Sequence, residues 1–177
     1  TVGGRGLPTV GAAPTAAAGP FGTPGTAWDR VRTDLAALRR RGPSGDVALA
    51  ADTIDRLIRS ALGVAPDAAY GRLTLRPAFP AHWVAFEASG LALADARVGF
   101  RWERAGSLHR FTLRQTAGGA PITWILEPWL AGSGLKVARV DGDPAELDAI
   151  PDDGGVRPRI QLPAERERTV ELEVTPP

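Results

Sequence analysis

Residues 63–83, GVAPDAAYGRLTLRPAFPAHW, are where the chain changes from one kind of structure to another. Upstream, Leu57, Ile58 and Leu62 close an amphipathic run. Gly63 stands where a helix end calls for a left-handed residue, and Pro66 just beyond prevents a restart. Downstream, Leu73 and Leu75 alternate with Arg72, Thr74 and Arg76, the two-residue period of a half-buried strand, until Pro77 and Pro80 interrupt it. The reading is helix before this stretch and sheet after it.

Working upstream, Val47, Ala50, Ile54, Leu57, Ile58, Ala61 and Leu62 form one apolar stripe of a helix capped by Ser44 or Asp46. Asp52 with Arg56, and Asp55 with Arg59, are i,i+4 pairs in the favourable order. An earlier helix is predicted over about residues 27–40, with Thr26 as its N-cap, Asp29 completing an approximate capping box, and Trp28, Val31, Leu35 and Leu38 at helical spacing. Gly42 and Pro43 end it, and Arg39, Arg40 and Arg41 read as a solvated, dipole-compatible last turn. Two helices so close together suggest an antiparallel hairpin. Residues 1–25 carry Pro at 8, 14, 20 and 24 among Gly and Ala, a composition that reads as an extended arm or linker.

Working downstream, strand signals recur about every eight to twelve residues. Residues 82–88 set Trp83, Ala85 and Glu87 against Val84 and Phe86. Residues 96–103 put Val98, Phe100 and Trp102 inward and Arg97, Arg101 and Glu103 outward. After a turn at Ala105-Gly106, residues 108–116 answer with Phe111 and Leu113 inward, so these two segments form a hairpin. Ile122, Trp124 and Leu126 follow on one face. Residues 135–140 run into Asp141-Gly142, a tight-turn dipeptide. Residues 160–162 and 169–174 finish, the latter with Val170, Leu172 and Val174 on one side. The fold class is mainly β: an antiparallel β-sandwich of about eight to ten short strands after a helical hairpin and an N-terminal arm. The divisions are residues 1–25, 26–63 and 64–177.

Composition excludes several kinds of function. A net charge of +1 over 177 residues supplies no field for nucleic acid or an anionic membrane surface, and no apolar run of 18 or more residues exists to span a bilayer. There is no cysteine, hence no thiolate nucleophile or disulfide, which fits a reducing, cytoplasmic compartment. The two histidines, His82 and His109, have no metal-ligand spacing, so neither metal nor cofactor is expected. His109 reads as a hairpin-tip residue, exposed or hydrogen-bonded to its own sheet. Asp141, Asp143, Asp152 and Asp153 read as turn formers rather than calcium ligands. Gly-x-Ser-x-Gly is missing, and neither Gly3-Gly4-Arg5-Gly6 nor Gly118-Gly119 leads into a phosphate-binding helix.

Glycoside hydrolysis needs two carboxylates facing one sugar, and Glu87, Glu103, Glu127 and Glu146 share no local setting. No catalytic residue is assigned. Trp102, Trp124 and Trp28 read as core. Trp83 and Trp129 lie beside loops, where a ring serves either packing or a sugar platform; with Glu127 they are the candidate carbohydrate contacts.

The helix followed by LGVAPDA and GRLTLRP, then ARVGFRWER, HRFTLRQT, WILEP and VARVDGDPAEL, resembles (α/α)6-barrel glycoside hydrolases of the glycogen-debranching and α-L-rhamnosidase-like kinds, at the point where the last barrel helix passes into a C-terminal β-sandwich. The resemblance covers roughly residues 46 to 174. In that family the catalytic acid and base lie on loops of the barrel, and no position here matches them. The resemblance therefore implies a non-catalytic sandwich whose partner is a helical (α/α)6 domain, in cis or in trans. Residues 1–45 supply at most one further helix, and there is no Met at all, so a processed product or a piece of a longer polypeptide is expected. Two other readings stand beside this one: a stand-alone oligosaccharide-binding module using an exposed tryptophan, and a structural subunit that self-associates through residues 1–25.

Overall fold

A computed structural model describes residues 26–41, 47–164 and 167–176. The predicted arm, the Gly42-Pro43 stop and the Ser44 or Asp46 cap lie outside the described residues. Helix α1 runs Thr26–Arg41 and α2 runs Val47–Arg56, continuing through a widened turn, Leu57–Ala61, with i→i+5 bonding. Leu62 N–H bonds Leu57 O and Val64 N–H bonds Ile58 O. Gly63 ends the helix at φ +59°, and a Cβ there would stand 2.6 Å from Arg76 Cβ. Only glycine gives both the left-handed conformation and the close approach. Arg76 N–H in turn donates to Leu62 O and Gly63 O, stapling the helix end to the strand that follows.

The strands are β1 (Ala65–Asp67), β2 (Arg72–Leu75), β3 (Ala85–Leu93), β4 (Ala96–Ala105), β5 (Leu108–Ala117), β6 (Ile122–Leu126), β7 (Leu130–Ala131), β8 (Gly134–Val140), β9 (Asp143–Pro144), β10 (Ala149–Asp152), β11 (Gly155–Pro158), β12 (Ile160–Ala164) and β13 (Arg168–Thr175). They form a β-sandwich: one sheet has the order β3-β4-β5-β13-β8-β9, the other β1-β2-β6-β12, and a small sheet β10-β11-β7 lies beside them. Pairing is antiparallel except between β2 and β6. That parallel pair arises because the chain leaves one sheet after β2, builds β3 to β5 in the other, and returns at β6.

The alternation read from the sequence sets the core. Val98, Phe100, Trp102, Phe111, Leu113, Trp124, Leu126, Val170 and Leu172 are all buried. Outward residues pair across the six-stranded sheet, as Arg114 with Glu87, Arg110 with Glu171 and Lys136 with Glu173. These exposed pairs contribute little stability but keep that face polar. The Asp141-Gly142 turn has the positive φ its sequence calls for, and Asp153-Gly154 repeats the device between β10 and β11.

Several details depart from the sequence reading. The β4–β5 turn is Gly106-Ser107, since Ala105 already pairs with Leu108. Residues 82–84 are not strand: the chain turns at Ala81-His82, closed by the Trp83 N–H bonding Pro80 O. Val84 is therefore exposed while Phe86 faces the core. Thr26 is the first helical residue rather than the cap. Asp55 pairs with Arg59 as expected, but Arg56 reaches across to Asp34 of α1 instead of Asp52, a tertiary partner replacing a local one. Among the described residues no helix is long and apolar enough to cross a membrane.

The two helices and the sandwich share one hydrophobic cluster, with Trp28, Val31, Ala61, Leu62 and Val64 joined to the sheet residues. Beyond that contact the helical stripe surfaces: Leu35 is 46%, Ile54 57% and Val47 81% exposed.

Candidate functional site

The loop between β2 and β3 places two aromatic rings that organise this part of the molecule. Phe79 stacks on Trp102 with ring centres 4.1 Å apart and planes 14° from parallel. Trp83 packs against Trp28 at 4.8 Å and lies stacked with Phe86 at 5.9 Å. Trp28 donates its indole N–H to Ala78 O at 2.6 Å, so α1 is held by the loop as well as by apolar contact. Between α1 and this loop lies an apolar groove of about 560 Å³, bordered by Trp28, Leu35, Leu57, His82, Trp83 and Phe86.

Trp129 lies elsewhere. Its indole N–H donates to Asp152 O at 2.8 Å, its backbone N–H bonds Pro77 O, and its ring rests on the backbone of Gly155. It borders a second recess of about 350 Å³ that shares no lining residue with the groove. Glu127 borders neither recess. It is buried, with Arg76 donating to Oε2 and Arg159 within 3.4 Å of Oε1, while Arg157 donates to its backbone carbonyl. A carboxylate held this way locks β2, β6 and the β11–β12 segment together. The structure therefore does not bring the three candidates Trp83, Trp129 and Glu127 to one place. Glu87 and Glu103 sit in surface ion pairs.

Of the two arrangements expected for His109 the second holds: it is buried within the β4–β5 hairpin and hydrogen-bonded to its own sheet, its Nδ1 accepting the Trp102 indole N–H at 3.2 Å. That hydrogen bond leaves the ring proton on Nε2. Burial first, and the nearby Arg104 charge second, push its pKa down to about 4, so the imidazole is neutral at ordinary pH. His82 is exposed, edge-on to Trp83. Asp141 pairs with Arg168 and Asp152 with Arg157. Among the described residues no group of three or more His, Asp or Glu side chains is placed to hold a metal ion.

Sequence reasoning singled out Trp83 but passed over Phe79, although RPAFPAHW carried the signal: aromatic residues spaced between prolines in a segment too short and broken to be strand or helix. Arg104 gave no signal, because its relation to His109 depends on the register of the β4–β5 hairpin.

No family model matches the chain, and no curated protein matches it. Among solved structures, α-L-rhamnosidase from Dictyoglumus thermophilum superposes with a TM-score of 0.50 at 11% sequence identity, over 68% of this chain and 13% of the rhamnosidase chain. At that identity the likeness is one of fold alone, and this chain spans only a small part of the rhamnosidase chain.

Proposed function

We propose that this chain is a non-catalytic β-sandwich module of a glycoside hydrolase-like, carbohydrate-active enzyme, and that it packs against and stabilises a helical catalytic barrel. The observation that carries this reading is the half-used helical hairpin. α1 and the widened turn that continues α2 are built into the sandwich core through Trp28, Val31, Ala61 and Leu62, while Leu35 of α1 and Val47 and Ile54 of α2 are exposed. Apolar side chains on the outer side of an otherwise well-packed pair mark a surface that meets another element. The ion-paired outer face of the six-stranded sheet offers no comparable surface. The fold likeness to part of a rhamnosidase supports the same assignment.

The test is the intact mass of the protein from its native source, set beside the reading frame that encodes residue 1. A product several hundred residues longer, with amphipathic helices upstream, supports the module reading. A mature chain of this length alone overturns it.

A further inference from the structure

We propose that the recess beside Trp129 is a binding site for a small carboxylate carried on a single ring that can lie face-on to an aromatic wall. The recess lies between the Gly106-Ser107 turn, the end of β13 and β7, and at about 350 Å³ it is at the small end of ligand pockets, with room for a single ring. Its aromatic walls are already fixed. Phe79 is backed by the buried Trp102 on which it stacks, and Trp129 is tied by its indole and backbone N–H groups to Asp152 and Pro77. A flat ligand face therefore meets surfaces that need little ordering.

The polar side is cationic. Arg104 borders the recess and donates to the Ala81 carbonyl, and among the described residues it has no carboxylate partner. In the same hairpin Arg101 holds Glu103, Arg110 holds Glu171 and Arg114 holds Glu87, whereas Arg97, like Arg104, bonds only a backbone carbonyl among the described residues and lies away from the recess. No acidic side chain lines the recess. A guanidinium left without an anion beside ring walls selects a carboxylate, which its planar fork can bind through its remaining N–H groups. His109, also on the lining, adds a neutral ring whose Nε2–H has no partner among the described residues. It supplies a second donor without a second charge.

An aromatic acid satisfies this chemistry with its flat ring, and a sugar acid offers the same carboxylate beside the apolar C–H face of its pyranose, so the experiment uses benzoate and D-glucuronate, each with its neutral counterpart, benzyl alcohol and D-glucose. Tryptophan indole and histidine imidazole signals of the ¹⁵N-labelled full chain are followed by NMR at neutral pH. The expected result is saturable shifts at Trp129 and His109 with one acid, binding at least tenfold tighter than its neutral counterpart, and about a tenfold or greater loss in Arg104→Gln. Whichever acid binds identifies the source of the carboxylate. Equal binding of the neutral compound, no saturable shift with either acid, or unchanged affinity in a folded Arg104→Gln overturns the proposal. The acid-against-neutral comparison on the unaltered chain decides it even where the variant does not fold. This site shares no residue with the exposed helical face, so the result is independent of the barrel-packing role.

Discussion

The six-stranded sheet and the helical hairpin use the same kinds of apolar residue and treat them oppositely. In β4 and β5 each inward side chain is sealed, with Phe100, Phe111 and Leu113 at 0% exposure. In α2 the stripe leaves Val47 and Ile54 in solvent and Ala50 half-buried before Leu57 and Ile58 pack against the core cluster. The sandwich completes its own core, and the hairpin completes only half of one. A periodic apolar stripe thus says which face of a helix is sticky, but what covers it depends on what else is present.

The largest test of that contrast is Phe100→Ala. A fully buried ring removed from a self-sufficient core is expected to cost about 3–5 kcal/mol, measured as a fall in the urea midpoint with unchanged slope. A loss below 1 kcal/mol would mean that the sheet is as loosely committed as the hairpin.

Acid provides the next test, because it acts on the sandwich through His109. The folded pKa of about 4 lies below the ordinary histidine value of 6.5. Between those values the unfolded chain binds a proton that the folded one refuses, so stability is full above pH 6.5 and declines as pH falls toward 4. The loss is on the order of 3 kcal/mol. Thermal melts across that range should show the slope, and His109→Leu should flatten it while leaving other acid-dependent terms. An unchanged slope in the variant would place the titration elsewhere.

Gly63→Ala probes the joint between the two regions. A left-handed alanine, with its Cβ forced toward Arg76, is expected to cost about 2 kcal/mol and to raise amide exchange at Leu62, Val64 and Arg76 ahead of β4 and β5. Equal protection throughout would show that hairpin and sandwich open as one unit. The smallest effect belongs to the exposed stripe. Val47→Glu with Ile54→Glu should change stability by less than about 0.5 kcal/mol, read from the same urea curves. A cost above 1 kcal/mol would mean that the face is already covered in the isolated chain.

The parts of the fold legible in the sequence were those where local chemistry and tertiary packing agree. Val98, Phe100 and Trp102, then Phe111 and Leu113, alternate cleanly because one side of each strand meets the core and the other meets water. Asp141-Gly142 was legible because its turn needs positive φ. One local signal was passed over: β10 and β11 carry Pro151 and Pro158 and have little alternation, yet they pair because Asp153-Gly154 turns the chain back on itself, as Asp141-Gly142 does. The rest of what escaped was set by partners elsewhere in the fold. Pro66 looked only like a helix breaker, but sits in the edge strand β1 against Leu73. Of the candidate contacts, Glu127 gave no warning that Arg76 and Arg159, far away in sequence on opposite sides, would converge on its carboxylate. Trp83 and Trp129 both looked like loop rings, and only the path of the β2–β3 loop separates them into different recesses.

The parallel pairing of β2 with β6 also sets a timetable. Arg72 finds its partner Thr123 about fifty residues later, whereas β3, β4 and β5 pair with immediate neighbours through short turns. At ordinary synthesis rates the β2 edge waits roughly 3–10 s for β6 to emerge from the ribosome. That interval is far longer than the microseconds a β-hairpin needs, so the β3–β5 meander has time to close first and to shorten the effective loop that brings β2 to β6. The helix-to-sheet junction, early in the sequence, is thus expected to find its β6 partner after the β3–β5 meander but before β12 and β13, the last strands made, close on β6, β5 and β8.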